Sequence, residues 1–323
     1  MGDSRELRVY IAGHTGLVGS ALVRRFTGRP GMRVLTATRA ALDLTDGQRV
    51  QRFLERERPE IVMIAAGRVG GILANSTAPA EFISENLLIE AHLIRGAWRS
   101  GVKRLLNFGS SCMYPRVCPQ PMTTDQLMTG AVEPTSAPYA VAKWAGMTLC
   151  SAYRRQHGAA FITAIPCTVY GPGDSFDPDG SHVLSALIRK LHEARTQGQR
   201  AVSLWGSGAA RREFVYADDL AEACEVLLEG YRGEAPVNVG SGETRSVREL
   251  AELVKGLVGF EGEVRWDRSR PDGAPEKRLD STVMRTLGWS ARTPLRAGLE
   301  QAYRWFLEHE ALATRREASC VCS

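Results

Sequence analysis

The segment Gly13-His14-Thr15-Gly16-Leu17-Val18-Gly19 constrains this chain more than any other. It reads G-x-x-G-x-x-G, directly follows a short apolar run at 8–12 (RVYIA), and opens a helical pattern over 16–26. Glycines so spaced at a strand–helix junction let the backbone turn tightly and approach a pyrophosphate. The helix N-terminus behind them offers free N–H groups and the positive end of its dipole. A dinucleotide is the expected ligand, with Gly13, His14, Thr15, Gly16, Leu17, Val18 and Gly19 around it.

The rest of the first half keeps that rhythm. Strand-like runs at 33–38, 61–65, 104–109 and 161–166 alternate with helical patterns at 46–57, 80–98 and 139–157. Such alternation predicts parallel strands joined by crossover helices: an α/β fold with a Rossmann-type doubly wound parallel sheet. After Pro166 the alternation stops. A Gly-, Pro- and Asp-rich stretch at 168–181 reads as a loop. Helices follow at 183–193, 218–228, 247–258 and 295–312, with short strands at 202–204, 237–239 and 264–266. We expect a smaller mixed α/β substrate-binding lobe here. The expected division is 1–167 with about 215–243 for the dinucleotide domain, 168–214 with about 244–312 for the second lobe, and 313–323 as a tail. The cleft at the carboxyl ends of the strands is the expected ligand site.

Composition narrows the classes. The 323 residues are 44% hydrophobic and 24% charged, which excludes disorder, collagen and coiled coil as readings of the whole chain. A net charge of +5 suits an anionic ligand and is too small to argue for nucleic acid. The seven cysteines include no paired C-x-x-C, so no metal site is expected and the thiols read as reduced. The start is polar, and no apolar stretch approaches bilayer-spanning length; a cytoplasmic protein without a membrane segment is expected.

The second strand ends near Arg39 with no acid beside it. An acid there would bind the ribose hydroxyls of NAD, whereas an arginine favours the extra phosphate of NADP, so NADP(H) is the expected cofactor. Asp43 and Leu44 lie slightly further on, within reach of an adenine. Tyr139 and Lys143 form Y-x-x-x-K on one helical face. A neighbouring ammonium favours a phenolate and so lowers a tyrosine's pKa. Ser110 and Ser111 follow the fourth strand, where a hydroxyl faces the cleft and can bond a carbonyl. Alone, Y-x-x-x-K occurs in many helices; together with Ser110 and the glycine loop, in this order, it forms a set.

That set resembles the extended short-chain dehydrogenase/reductase family, whose members mostly act on nucleotide sugars. Further segments are similar to its GDP-L-fucose synthases: Arg68-Val69-Gly70-Gly71-Ile72, Gly109-Ser110-Ser111-Cys112-Met113-Tyr114-Pro115, Pro138-Tyr139-Ala140, Ser181-His182-Val183, Leu204-Trp205-Gly206-Ser207-Gly208, Arg212-Glu213-Phe214 and Pro271-Asp272-Gly273. They run in order from about Arg8 to about Leu307.

The resemblance implies an NADPH-dependent epimerase/reductase that turns GDP-4-keto-6-deoxy-D-mannose into GDP-L-fucose. It inverts carbons 3 and 5, then reduces the ketone at carbon 4. Ser110, Tyr139 and Lys143 would serve reduction, and Cys112 and His182 the epimerisations. Phe108, Gly109, Ser110, Ser111, Lys143, Pro166, Cys167, Thr168, Val169 and His182 would add cofactor contacts. Lys190, Trp205, Arg212 and Asp272 would hold the nucleotide sugar, with Lys277 a weaker candidate. Helices 80–98 and 139–151 would pair across a two-fold axis in a homodimer.

Three positions depart from the family pattern. Thr15 replaces a second arginine near the cofactor phosphate, and Thr168 and Ser175 replace asparagines near the sugar. A synthase of another 4-keto sugar, such as a colitose-type enzyme, therefore stays open. So do a reductase that does not epimerise and, outside enzymes, a non-catalytic dinucleotide binder.

Overall fold

The computed structural model describes residues 6–321 apart from 178, 179 and 271, with side chains through residue 309. The chain opens β1 (Leu7–Ala12), α1 (Leu17–Phe26), β2 (Met32–Leu35), α2 (Gly47–Glu57), β3 (Ile61–Ile64), α3 (Ile72–Thr77), α4 (Pro79–Arg99) and β4 (Arg104–Phe108). It continues α5 (Ala137–His157), β5 (Ala160–Pro166), β6 (Thr168–Tyr170), α6 (Val183–Thr196), β7 (Ala201–Trp205), β8 (Arg211–Tyr216) and α7 (Ala217–Gly230). Then come β9 (Val237–Val239), β10 (Thr244–Ser246), α8 (Val247–Val258), β11 (Glu263–Asp267), β12 (Glu276–Lys277), α9 (Thr282–Thr286) and α10 (Leu295–Val321).

Six strands form one parallel sheet in the order β2-β1-β3-β4-β5-β9. Its strands are largely apolar because both faces are covered. Alternate residues of each strand point to opposite faces. Val9 and Ile11 join Leu22, Phe26, Leu220 and Leu227 on the α1–α7 side. Tyr10 and Ala12 join Leu54, Ile89, Leu93 and Cys150 on the α2–α4–α5 side. The strand order reverses at β1, so the crevice at the carboxyl ends of β1 and β3 is the switch point where such sheets take ligands.

A second core joins α6, β7, β8, α8 and α10 through Leu187, Leu191, Leu204, Phe214, Val254 and Phe306. Helix ends there follow local chemistry. At α8 the Ser246 hydroxyl accepts from Glu249 N while the Glu249 carboxylate accepts from Ser246 N, and Gly259 closes the helix with φ +71°.

The structure differs from the sequence-based expectations at three places. β2 ends at Leu35, short of 38, which leaves Arg39 on the loop beyond it. The helix α3 and strands β6, β8, β10 and β12 were not expected, being short or, like β8 (RREFVY), interrupted by charge. Helix α10 continues past 312 to Val321, so most of the expected tail is helical. Pro271 of the Pro271-Asp272-Gly273 match and Cys322 lie outside the described residues.

Candidate active site

One cavity of about 1130 Å3 runs from the glycine loop past the end of β4 to Trp205 and Asp272. Every site residue expected from the sequence lines it except Gly19. Gly19 instead packs under the loop, where a Cβ would collide with the carbonyl of Gly13. The three loop glycines thus divide their work. Gly13 has φ +81°, and a Cβ there would lie 2.6 Å from the backbone of Ala66. Gly16 is different: a Cβ would meet only Gly13 O, at 3.6 Å. Gly16 caps α1 with no side-chain hydrogen bond, so the first N–H groups of the helix face the cavity unclaimed by a capping side chain. Protein packing does not require Gly16, and the open space above it suits a pyrophosphate.

Beyond β4 the backbone folds into a single turn. Cys112 N donates to Ser110 Oγ at 3.2 Å, and Trp144 Nε1, from α5, donates to Met113 O at 2.9 Å. This holds Cys112 against the helix that carries Tyr139 and Lys143. The Ser110 hydroxyl is close enough to the Tyr139 phenol to pull its pKa down slightly. The Lys143 ammonium lies 5.8 Å from the Tyr139 ring centre. Burial pushes the Tyr139 phenol up, and the Lys143 charge offsets only part of that. The ammonium pulls in the direction the sequence suggested, but burial outweighs it, partly because Lys143 donates to Glu90 Oε1 at 2.7 Å.

Cys112 is half-buried. Burial raises its thiol, but Lys277, Ser110, Ser136 and Arg212 together bring it below the ordinary thiol range. Lys277 Nζ sits 3.9 Å from Cys112 Sγ. Lys277, a candidate for the sugar, therefore lies against the thiol.

His182 caps the N-terminus of α6. Its loop is tied to the segment after β3 by Gly71 N donating to Gly180 O at 2.8 Å. A Cβ on Gly71 would approach Ser181 O to 2.7 Å, which explains the paired glycines of the Arg68–Ile72 segment. Asp174, buried behind His182, accepts from Ser175 N at 2.8 Å and from the Ser185 hydroxyl. Burial raises its carboxyl, and His182 pulls it back in part.

At the far end Trp205 is 45% exposed, so it forms a wall and not core. Lys190 Nζ and the Arg270 guanidinium carbon lie 5.7 and 4.9 Å from its ring centre. Asp272 accepts from Ser207 N and Ser207 Oγ at 2.7 and 2.8 Å, and Arg212 donates to Asp272 O at 3.3 Å. At the end of the cavity beyond β2, Arg39 is highly exposed and shares Glu85 with Arg68, at 3.9 and 2.9 Å. Thr168 lines the cavity, whereas Ser175 does not.

Sequence reasoning missed Glu90 and Asp174. Glu90 was legible as an acid on the apolar stripe of α4, among Phe82, Ile89, Leu93, Ile94 and Ala97. Asp174 sits in a Gly-Pro-Gly loop, where nothing distinguishes it from a turn aspartate.

The family model of the NAD dependent epimerase/dehydratase family matches residues 9–240. The chain belongs to this family. Within the family, it is 48% identical over 307 residues to GDP-L-fucose synthase 1 of Arabidopsis thaliana, covering 95% of each chain. It is 44% identical over 312 residues to the GDP-L-fucose synthase of Escherichia coli, covering 94% of this chain and 97% of that one. The GDP-L-colitose synthase of Yersinia pseudotuberculosis shares 33% over 306 residues, covering 94% and 99%. Among solved structures, a GDP-mannoheptose C4 reductase from Campylobacter jejuni with NADP bound superposes with a TM-score of 0.83 at 31% identity, covering 94% and 99%.

Proposed function

We propose that this protein converts GDP-4-keto-6-deoxy-D-mannose to GDP-L-fucose by epimerising carbons 3 and 5 and reducing carbon 4 with NADPH. The observation that carries the reading is that Cys112, His182, Ser110, Tyr139 and Lys143 line the same cavity as the glycine loop. Identity of 48% and 44% to the GDP-L-fucose synthases of Arabidopsis thaliana and Escherichia coli, against 33% to the colitose synthase, favours the fucose product.

The chemistry follows from the geometry. A ketone at carbon 4 acidifies the hydrogens on carbons 3 and 5, because the carbanion becomes an enolate. Hydrogen bonds from the Ser110 hydroxyl and the Tyr139 phenol to the ketone oxygen stabilise that enolate. Inversion needs a base on one face and an acid on the other. Cys112, held toward thiolate by Lys277, supplies one and His182 the other. The open space at Gly16 and the bare N-terminus of α1 fit the pyrophosphate of NADP(H), with Arg39 at the adenosine end. The hydride for carbon 4 comes from NADPH when it occupies this groove. Tyr139, whose phenol burial keeps protonated, then gives its proton to the new alkoxide. Lys190 and Arg212 meet the substrate pyrophosphate, Trp205 walls the nucleotide, and Asp272 accepts from hydroxyls or a base edge.

The same reading includes two lobes, 1–167 with about 215–243 binding the cofactor and 168–214 with about 244–312 binding the sugar nucleotide. It also includes a homodimer and a cytoplasmic location. No helix among the described residues is long and apolar enough to cross a membrane. The free thiols of Cys112, Cys118, Cys150, Cys167 and Cys224 suit a reducing compartment.

The test is turnover in deuterated water with GDP-4-keto-6-deoxy-D-mannose and NADPH, followed by NMR. Deuterium at carbons 3 and 5 of GDP-L-fucose is the expected result. A reduced product without deuterium would leave a plain ketoreductase. C112S and H182Q should each abolish exchange at one or both carbons.

A further inference from the structure

The buried pair of Lys143 and Glu90 has no part in the chemistry above beyond its lysine. Lys143 is 4% exposed and Glu90 1%. Their side chains meet at 2.7 Å across the interface of α4 and α5. A buried charge is costly without a partner, and a buried lysine alone titrates well below its ordinary range. The surroundings leave room for this carboxyl group; burial pushes its own pKa up, and the Lys143 charge offsets only part of that. At Gly146, one turn beyond Lys143, any Cβ would strike Glu90 Oε2, so only glycine leaves room for it there. The Asn107 amide, fully buried on the same face of β4, lies by the same spot and spends neither its donor nor its acceptor on protein. The titratable groups facing Glu90 are Lys143, Tyr139 and Cys150, all from α5.

We infer that Glu90 is a positioning residue for the reduction: it is the counter-ion that keeps Lys143 an ammonium at its buried place beside Tyr139. The inference rests on the Tyr139–Lys143 reading given above. Burial would strip charge from Lys143, and Glu90 first, with Tyr139 after it, more than offsets that, so the ammonium stays above its ordinary range. The same carboxylate, a like charge to a phenolate, works against phenolate formation and favours the protonated Tyr139 that reduction consumes.

Removing the charge while keeping the shape tests this. In E90Q one of two events follows: Lys143 loses its proton at lower pH, or Lys143 stays charged and draws the Tyr139 proton off at lower pH. Each moves the basic limb of the kcat profile for ketone reduction toward neutrality, by about one pH unit or more. E90D, which retains a carboxylate, keeps the limb near its wild-type position. A folded E90Q whose limb coincides with wild type overturns the inference. The 13Cε shift of Lys143 in the wild-type protein, assigned by its absence in K143R, judges the idea even if E90Q does not fold. An ammonium persisting through pH 9 supports it, and an amine at pH 8 overturns it. A wild-type protein that reduces no 4-keto sugar removes the functional reading instead, while the lysine titration still decides the role of Glu90.

Discussion

At Gly13 and Gly16 the same residue type is used for two different ends, and substitution separates them. Gly13→Ala forces a side chain into left-handed backbone and against Ala66, so a loss of about 2 kcal/mol or more is expected in denaturant unfolding. Gly16→Ala meets ordinary contact distance and should leave stability within about 0.5 kcal/mol. It should weaken NADPH binding by at least about tenfold, because the methyl occupies the space a phosphate would take. Equal loss of stability in both variants would refute the division. Lys277 makes a second residue-scale prediction. Deleting its charge removes the largest pull against burial at Cys112, so the thiol titrates higher and less thiolate remains at pH 7. Alkylation of Cys112 by iodoacetamide, followed on its peptide by mass spectrometry, should therefore slow in K277A, by about tenfold if the thiol's midpoint rises by about one pH unit. An unchanged rate would show that the thiol does not feel the lysine. Residues were legible wherever chemistry demands a fixed spacing or place, as for Gly13–Gly19, Tyr139 and Lys143. Asp174 was not, and Glu90, though visible as an acid on an apolar stripe, gave no sign of its partner, because the fold brings that partner to it: Lys143 is 53 positions from Glu90.

Elements were legible where periodicity is sustained. Helices α2, α4, α5 and α8 fall within a few residues of their expected bounds, since each has a long apolar stripe and, at α2 and α8, a side-chain cap. In the second lobe β7 and β11 lie where short apolar runs were read, whereas β8, β10 and β12 escaped because they hold two to six residues and carry charge. In β8 the apolar run is preceded by Arg211, Arg212 and a buried Glu213 whose carboxylate accepts from the backbone of Gly242 and Leu279. No local pattern announces such a pairing. The capping box of α8 gives the element-scale prediction: Ser246→Ala should cost about 1 kcal/mol in thermal or urea unfolding, with kcat unaffected. A neutral substitution would mean that the helix is held by packing alone.

On the scale of the molecule, α4 and α5 leave Leu88, Trp98 and Val141 about 40% exposed while the opposite faces of both helices are buried in the sheet. Apolar groups so placed suit the proposed two-fold contact. The pair L88R and V141R should give a monomer mass by light scattering at micromolar concentration, with the fold intact by circular dichroism; a persisting dimer would move the interface elsewhere. The parallel sheet was legible from alternation alone. How distant loops are tied around the cavity was not: Cys112, His182 and Lys277 line it from three separate segments, and the Gly71–Gly180 and Trp144–Met113 bonds that fix two of them follow no local pattern. That shared chamber has a consequence for the order of events. An epimerised ketone already lies beside the phenol that will protonate it, so it need not diffuse away between isomerisation and reduction. Added unlabelled intermediate would therefore not dilute label passing from substrate to product, and selection acting on the shape of the hexose would alter both activities together.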